Sequence, residues 1–213
     1  MNPPKPRLRG VLHQYAFFVS LAAGAALVAL AQGAGRAAAL IYALALSGLL
    51  GVSALYHRVD WSPCARRWMR RLDHSMILVL IAGTYTPFAL VVLSGPVARV
   101  VLAVVWVAAL VGIVVNVLWV RAPKWAMASF GVALGWVLAI VAPELVTEAG
   151  VLVVVLLAVG GVLYTIGAVV YAVGRPDPVP AVFGYHEVFH VLVVVAAAVH
   201  YAGVAVSVLP ASG

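Results

Sequence analysis

The sequence predicts an all-α integral membrane protein, a seven-transmembrane helix bundle with a cytoplasmic N-terminus and its C-terminus outside. Three observations predict this class. Of the 213 residues, 66% are hydrophobic and only 9% are charged, whereas soluble domains carry roughly 25% charged residues. The mean hydropathy is +1.15, so lipid must be the solvent for most of the chain. Seven apolar runs come near the roughly 20 residues that a helix needs to cross a bilayer.

The predicted spans are separated by breaks too short for a soluble domain, so we predict a single membrane domain over 1–213. The spans are placed at 11–31, 37–55, 76–93, 97–120, 125–141, 151–173 and 182–209. The breaks carry turn-forming or charged residues: Gln32-Gly33, an arginine-rich stretch before 76, Ser94-Gly95-Pro96, Arg121-Ala122-Pro123-Lys124, Ala142-Pro143-Glu144 and GRPDP at 174–178.

The first run has a second interpretation, because Ala29-Leu30-Ala31 resembles a signal-peptide cleavage site. Its apolar stretch is longer than the usual h-region of about 7–15 residues, so we favour a membrane span. Cleavage would not change the orientation of the other spans.

The positions of the basic residues predict the orientation. All Lys and Arg residues except Arg36 and Arg99 fall at the N-terminus or in the second-to-third, fourth-to-fifth and sixth-to-seventh connections. Positive charge is retained in the cytoplasm, so these segments are predicted to lie inside. The net charge of +7 is therefore explained by topology, and we expect no nucleic-acid partner. The lone Cys64 excludes an internal disulfide.

Ionisable residues at the span ends are the informative ones, because a membrane makes them costly without a partner. His57 ends the second span, four residues after Ser53 and on the same helix face. Asp73 opens the third span, and His186 and His190 stand four apart at the start of the seventh. Taken singly, the histidines are interpreted as interfacial residues and Asp73 as a helix N-cap.

The predicted topology places His57, Asp73, His186 and His190 at the cytoplasmic end of the bundle. Three histidines and a carboxylate at one depth predict a Zn²⁺ site of the open, catalytic type, with three protein nitrogens and one water. Zinc lowers the pKa of such a water toward 7, and Asp73 is the candidate general base.

The stretch GYHEVFH also contains H-E-x-x-H, the metalloprotease motif in which the glutamate is the base. A third histidine is available at the same depth and Asp73 can take the water. We therefore interpret Glu187 as a residue that supports the ligands or as a carboxylate at the helix N-terminus. An intramembrane zinc protease remains an alternative.

Four segments resemble the hemolysin III family, the bacterial branch of the progestin and adiponectin receptor (PAQR) superfamily. They are KPRLRGVLHQ, SALYH, LDHSMILVLIAGTYTPF and GYHEVFHVLVVVAAAVHY. The resemblance implies that His57, His186 and His190 bind zinc, that Asp73 holds the zinc-bound water, and that Ser53 lies in the same pocket.

The resemblance also implies several functions for a bacterial inner-membrane protein whose substrate or ligand is a membrane lipid. Eukaryotic relatives look like receptors with a slow ceramidase-type activity, which favours a zinc-dependent hydrolase of lipid amide or ester bonds. Bacterial members have been linked to membrane lipid homeostasis and are named for lysis. The alternatives are a lipid-responsive homeostasis protein, a receptor or sensor with structural zinc, and a cytolytic pore or transporter, whose polar path would include Asn116 and His200.

Overall fold

The computed structural model describes residues 5–119 and 123–209, and within these ranges it is a bundle of α-helices. Seven of its helical stretches are long and apolar enough to cross a membrane. The predicted class of fold, an all-α protein with seven spans, is therefore confirmed. The orientation of the two termini remains a prediction.

The helices follow one another along the chain with short connections. Seven begin and end as follows: α1 (Val11–Leu30), α2 (Gly33–Arg58), α3 (Pro63–Pro87), α4 (Gly95–Leu118), α5 (Lys124–Trp136), α7 (Val151–Val173) and α8 (Tyr185–Val208). A π-helical turn over Phe88–Val92 extends α3. A 3-10 turn over Val137–Val141 joins α5 to the short α6 (Ala142–Ala149), and these three segments together form the fifth span.

The third span begins at Pro63 rather than at the predicted position 76. Ser62 caps the helix, because its hydroxyl accepts a hydrogen bond from the Ala65 N–H, and Pro63 occupies the first turn, where no N–H is needed. The arginine-rich stretch is therefore helical and not a loop. Asp73 lies in the helix interior, so the interpretation of Asp73 as an N-cap, and its placement at the opening of the span, are wrong.

The fifth span continues past its predicted end at 141. The expected break at Ala142-Pro143-Glu144 is instead the start of α6, since a proline in the first turn of a helix costs no hydrogen bond. The Tyr85 hydroxyl stabilises the 3-10 turn, because it accepts from the Leu138 N–H at 2.6 Å and donates to the Gly135 carbonyl at 2.7 Å.

Two other predicted boundaries have different outcomes. The seventh span begins at Tyr185 instead of 182, because the Val179 N–H binds the Phe183 carbonyl and closes a turn before the helix. The predicted end of the fourth span at Val120, with Arg121 and Ala122, lies outside the described residues.

The helices close into a ring because α1 packs against both α2 and α8. Around it α2 contacts α3, α3 contacts α4, α5 contacts α7, and α7 contacts α8. The end of the bundle where α2 ends and α8 begins is called the site end below. There an N-terminal segment runs beside the loop before α8, with hydrogen bonds from the Arg7 N–H to the Ala181 carbonyl and from the Leu8 N–H to the Val182 carbonyl, both 3.1 Å.

Candidate metal centre

Three histidines from two helices meet at the site end. His57 lies in the last turn of α2, and His186 and His190 occupy successive turns of one face of α8. One ring nitrogen of each lies within 4.8 Å of those of the other two. The Nε2 atoms of His57 and His186 are 3.1 Å apart, and the ring centroids of His186 and His190 are 4.6 Å apart. The structure thus brings together the three histidines that the sequence singles out.

The histidine cluster has the chemistry and spacing of a zinc site. Two nitrogens bound tetrahedrally to one zinc ion at about 2.05 Å are about 3.3 Å apart, close to the distance between His57 and His186. The Nδ1 atom of buried His190 has no hydrogen-bond partner among the described residues. Imidazoles clustered in an apolar bundle need a partner for their ring nitrogens, since unpaired buried polar groups are costly. One metal ion bound by all three rings would supply it. These residues therefore fit a metal ion.

Asp73 and Ser53 lie beside the histidines. Both line one cavity with His186 and His190. Asp73 comes from the interior of α3 and Ser53 from the buried face of α2, and the Ser53 hydroxyl lies beside the Asp73 carboxylate. A carboxylate and a hydroxyl are therefore placed where α2, α3 and α8 face one another.

The contacts of Glu187 differ from those that the base of a zinc protease would need. Its side chain is buried, and one carboxylate oxygen accepts the Gly184 N–H at 2.8 Å at the start of α8. The other oxygen forms an ion pair with Arg9 of the N-terminal segment. Glu187 thus caps the helix that carries His186 and His190 and connects this helix to the N-terminus.

His13 belongs to this cluster and is not among the predicted site residues. It is buried in α1, and its ring stacks on that of His190 with a centroid distance of 3.8 Å and an interplanar angle of 10°. Neither of its ring nitrogens has a hydrogen-bond partner in the described part of the chain. The stack fixes the plane of the His190 ring. A signal was available, since His13 is an ionisable residue inside an apolar run.

Gly10 brings the N-terminal segment against the histidines. Its φ of 78° is left-handed, a conformation that favours glycine. A Cβ atom at this position would come within 2.6 Å of the His57 Cβ. The segment before α1 therefore packs directly on the histidine cluster.

A cavity of about 380 Å³ extends from the histidines into the bundle. Its walls come mainly from α3, α5, α7 and α8 and are mostly apolar; they include Leu78, Ile81, Phe88, Met127, Leu157 and Val193. This volume falls in the range of small-molecule pockets, about 300–1,000 Å³. An apolar pocket of this kind suits a hydrocarbon chain.

The other polar residues considered for a transport path are engaged with neighbours. The Asn116 amide donates to the Arg71 carbonyl at 2.8 Å and to the Ser75 hydroxyl at 3.0 Å. His200 Nε2 lies 3.1 Å from the Leu157 carbonyl. His74, next to Asp73 in sequence, approaches the Tyr171 hydroxyl at 3.4 Å instead of the histidine cluster.

Comparison with known proteins places these features in one family. The sequence matches the family described as haemolysin-III related over residues 1–201. It is similar to Hemolysin-3 of Bacillus cereus, with 33% identity over 126 residues, which cover 59% of this chain and 57% of that protein. It is also similar to the Hemolysin-3 homolog of Bacillus subtilis (strain 168), with 37% identity over 100 residues, 47% of each chain. The matched region thus spans about half the length of these curated relatives.

Proposed function

The chain belongs to the haemolysin-III related family of the PAQR superfamily, and from this premise we propose that it is a zinc-dependent hydrolase of lipid amide or ester bonds. Its place would be the bacterial inner membrane, as a multi-pass protein. The observation that carries the proposal is the position of the histidine cluster and Asp73 at one end of an apolar cavity.

Each residue has a defined role in this proposal. His57, His186 and His190 would hold the zinc ion, which when bound supplies a Lewis acid that polarises a carbonyl and acidifies water. The Asp73 carboxylate accepts a proton from the attacking water and returns it to the leaving group. The Ser53 hydroxyl, which lines the same cavity, would orient that carboxylate. Glu187 and His13 hold the α8 ligands in position.

The cavity supports a lipid as the substrate. A single apolar chain would occupy it, and its mostly apolar walls would keep water out of the part of the pocket away from the histidines. The bond to be cleaved then lies at the polar end, beside Asp73 and His186. Binding of the remote chain thereby positions the reacting carbonyl, which is a large part of catalysis.

The geometry gives the alternatives less support. A protease would need Glu187 as its base, but both of its oxygens are engaged by Arg9 and the Gly184 N–H. A polar path through the bundle would need Asn116 and His200, and both have hydrogen-bond partners within the fold.

The test is a comparison of zinc content and lipid hydrolysis in purified full-length protein. Asp73→Asn removes the base but keeps its shape, so we expect zinc to stay bound and hydrolysis of acyl-amide and acyl-ester lipids to fall by a factor of about 100–10,000. Asp60→Asn is the matched control, because Asp60 is exposed in the loop between α2 and α3. Equal hydrolysis by Asp73→Asn and the parent would refute the assignment. Zinc-loaded parent protein that cleaves neither lipid class would favour a receptor with structural zinc.

A further inference from the structure

One wall of the cavity continues from apolar residues into arginines. Along α3 the lining positions recur every three or four residues, so they form one stripe of the helix. From the site end inward this stripe contains Arg67, Arg70, His74, Ile77, Ile81 and Thr84. It is about 25 Å long at 1.5 Å per residue. The wall therefore has the polarity of an amphiphile, with cations at one end and hydrocarbon at the other.

Two further cations line the cavity at the site end, and this part of the cavity is called the mouth below. Arg71 is half-buried with its guanidinium 4.5 Å from the Trp68 ring, and Lys124 comes from the start of α5. The Lys124 ammonium donates to the Tyr185 hydroxyl at 3.0 Å, next to His186. The cations of the mouth therefore come from two helices, α3 and α5.

These cations have no acidic partner in the described ranges. The single ion pair found there joins Arg9 to Glu187. The mouth thus keeps four positive charges, of Arg67, Arg70, Arg71 and Lys124, close to a membrane of low dielectric constant, where an anion would be attracted strongly.

The positive-inside rule explains how many cations lie at this end, but not which way they face. Arg66 shows the difference. It belongs to the same turn of α3, yet it does not line the cavity, and its guanidinium lies 5.7 Å from the Tyr56 ring. The cavity is lined instead by Arg67, Arg70 and Arg71.

We propose that the mouth formed by Arg67, Arg70, Arg71 and Lys124 binds the phosphate of an anionic membrane glycerophospholipid, one whose headgroup carries no compensating cation. The proposal rests on the proposed hydrolase function and names its substrate class. Guanidinium groups match phosphate oxygens in paired hydrogen bonds, and a zwitterionic headgroup such as choline would bring a cation of its own against the four already there. In such a lipid the ester carbonyls lie between the phosphate and the acyl chains, and Asp73 lies between Arg70 and the apolar wall.

Binding is tested with short-chain lipids that differ only in headgroup. Purified full-length protein in neutral detergent is titrated calorimetrically with dihexanoyl-phosphatidylglycerol, dihexanoyl-phosphatidylcholine and inorganic phosphate. We expect tighter binding of the anionic lipid and about fivefold weaker binding of it after Arg70→Gln or Arg71→Gln. Arg66→Gln, which removes the same charge from the same helix, should change the affinity less than twofold. The preference should shrink as salt is raised.

Three results would overturn the proposal. Equal affinity for the two lipids would remove the headgroup preference. An equal loss in Arg66→Gln and Arg70→Gln would reduce the effect to the general charge of that surface. Inorganic phosphate that binds as tightly as the anionic lipid would identify a site for free phosphate. The titration requires no turnover, so a failure of the hydrolase assay would be distinguishable from each of these results.

Discussion

Removing the Arg9 side chain tests how the N-terminal segment holds α8. The Arg9 side chain is 20% exposed and that of Glu187 only 3%. Arg9→Met would leave the buried carboxylate with the Gly184 N–H as its remaining partner in the described structure. Breaking a buried ion pair costs about 3–5 kcal/mol, and the partial exposure of Arg9 places the expected loss at the lower limit, about 3 kcal/mol. For a chain of this length that corresponds to a fall in Tm of about 6–12 °C.

A double-mutant cycle separates this pair from general damage. Thermal unfolding in detergent is measured for Arg9→Met, Glu187→Gln and the double variant, with Arg7→Met as the control, because the Arg7 side chain is exposed. The double variant should be more stable than the sum of the single losses predicts, with a coupling energy of about 1–3 kcal/mol, since it no longer leaves a charge unpaired. Additive losses, or a fall of under about 2 °C in Arg9→Met, would refute the reasoning.

Three further predictions concern the histidine cluster and the packing of the bundle. His57→Ala should weaken zinc binding by a factor of about 100 or more, measured by competition with a chelator. One of three protein ligands contributes about 3 kcal/mol of a zinc-binding free energy near 10 kcal/mol. Unchanged affinity would exclude His57 as a ligand. His13→Ala should weaken zinc binding about tenfold, as the loss of an orienting partner does, whereas His13→Phe keeps a stacked ring and most of the affinity; equal losses would contradict positioning by stacking. Gly112→Ala should lower the free energy of unfolding by about 1–3 kcal/mol, because the added Cβ would lie 2.5 Å from Phe130. Gly135→Ala should not lower it, because Gly135 faces open space. Thermal denaturation measures both effects.

Hydropathy alone predicted the number of spans and which apolar runs form them, because the hydrocarbon core imposes one length on every crossing helix. It did not predict where helices extend beyond the apolar part. Pro63 begins α3 well before the apolar run, because charged residues leave the hydrocarbon without leaving the helix. Ser62-Pro63 is a helix-start signal in the sequence, and hydropathy does not detect it.

Some residues of the candidate site can also be predicted from the sequence, and others cannot. His57, His186 and His190 were found because spacing on one helix and shared depth can be read from sequence. The stacking of His13 on His190 cannot be predicted from the sequence, since it depends on the contact between the first and last spans. The partner of Glu187 is likewise 178 residues away in the chain.

The hydrogen bonds of Arg7 and Leu8 with the loop before α8 have a practical consequence for anyone who handles the protein. Trimming the first nine residues would remove both these hydrogen bonds and the Arg9 contact with Glu187. The α8 helix starts at that same face and runs 24 residues across the bundle, so it ends at Val208 on the far face. Labels and surface tethers attached near Val208 would therefore be remote from the histidine cluster.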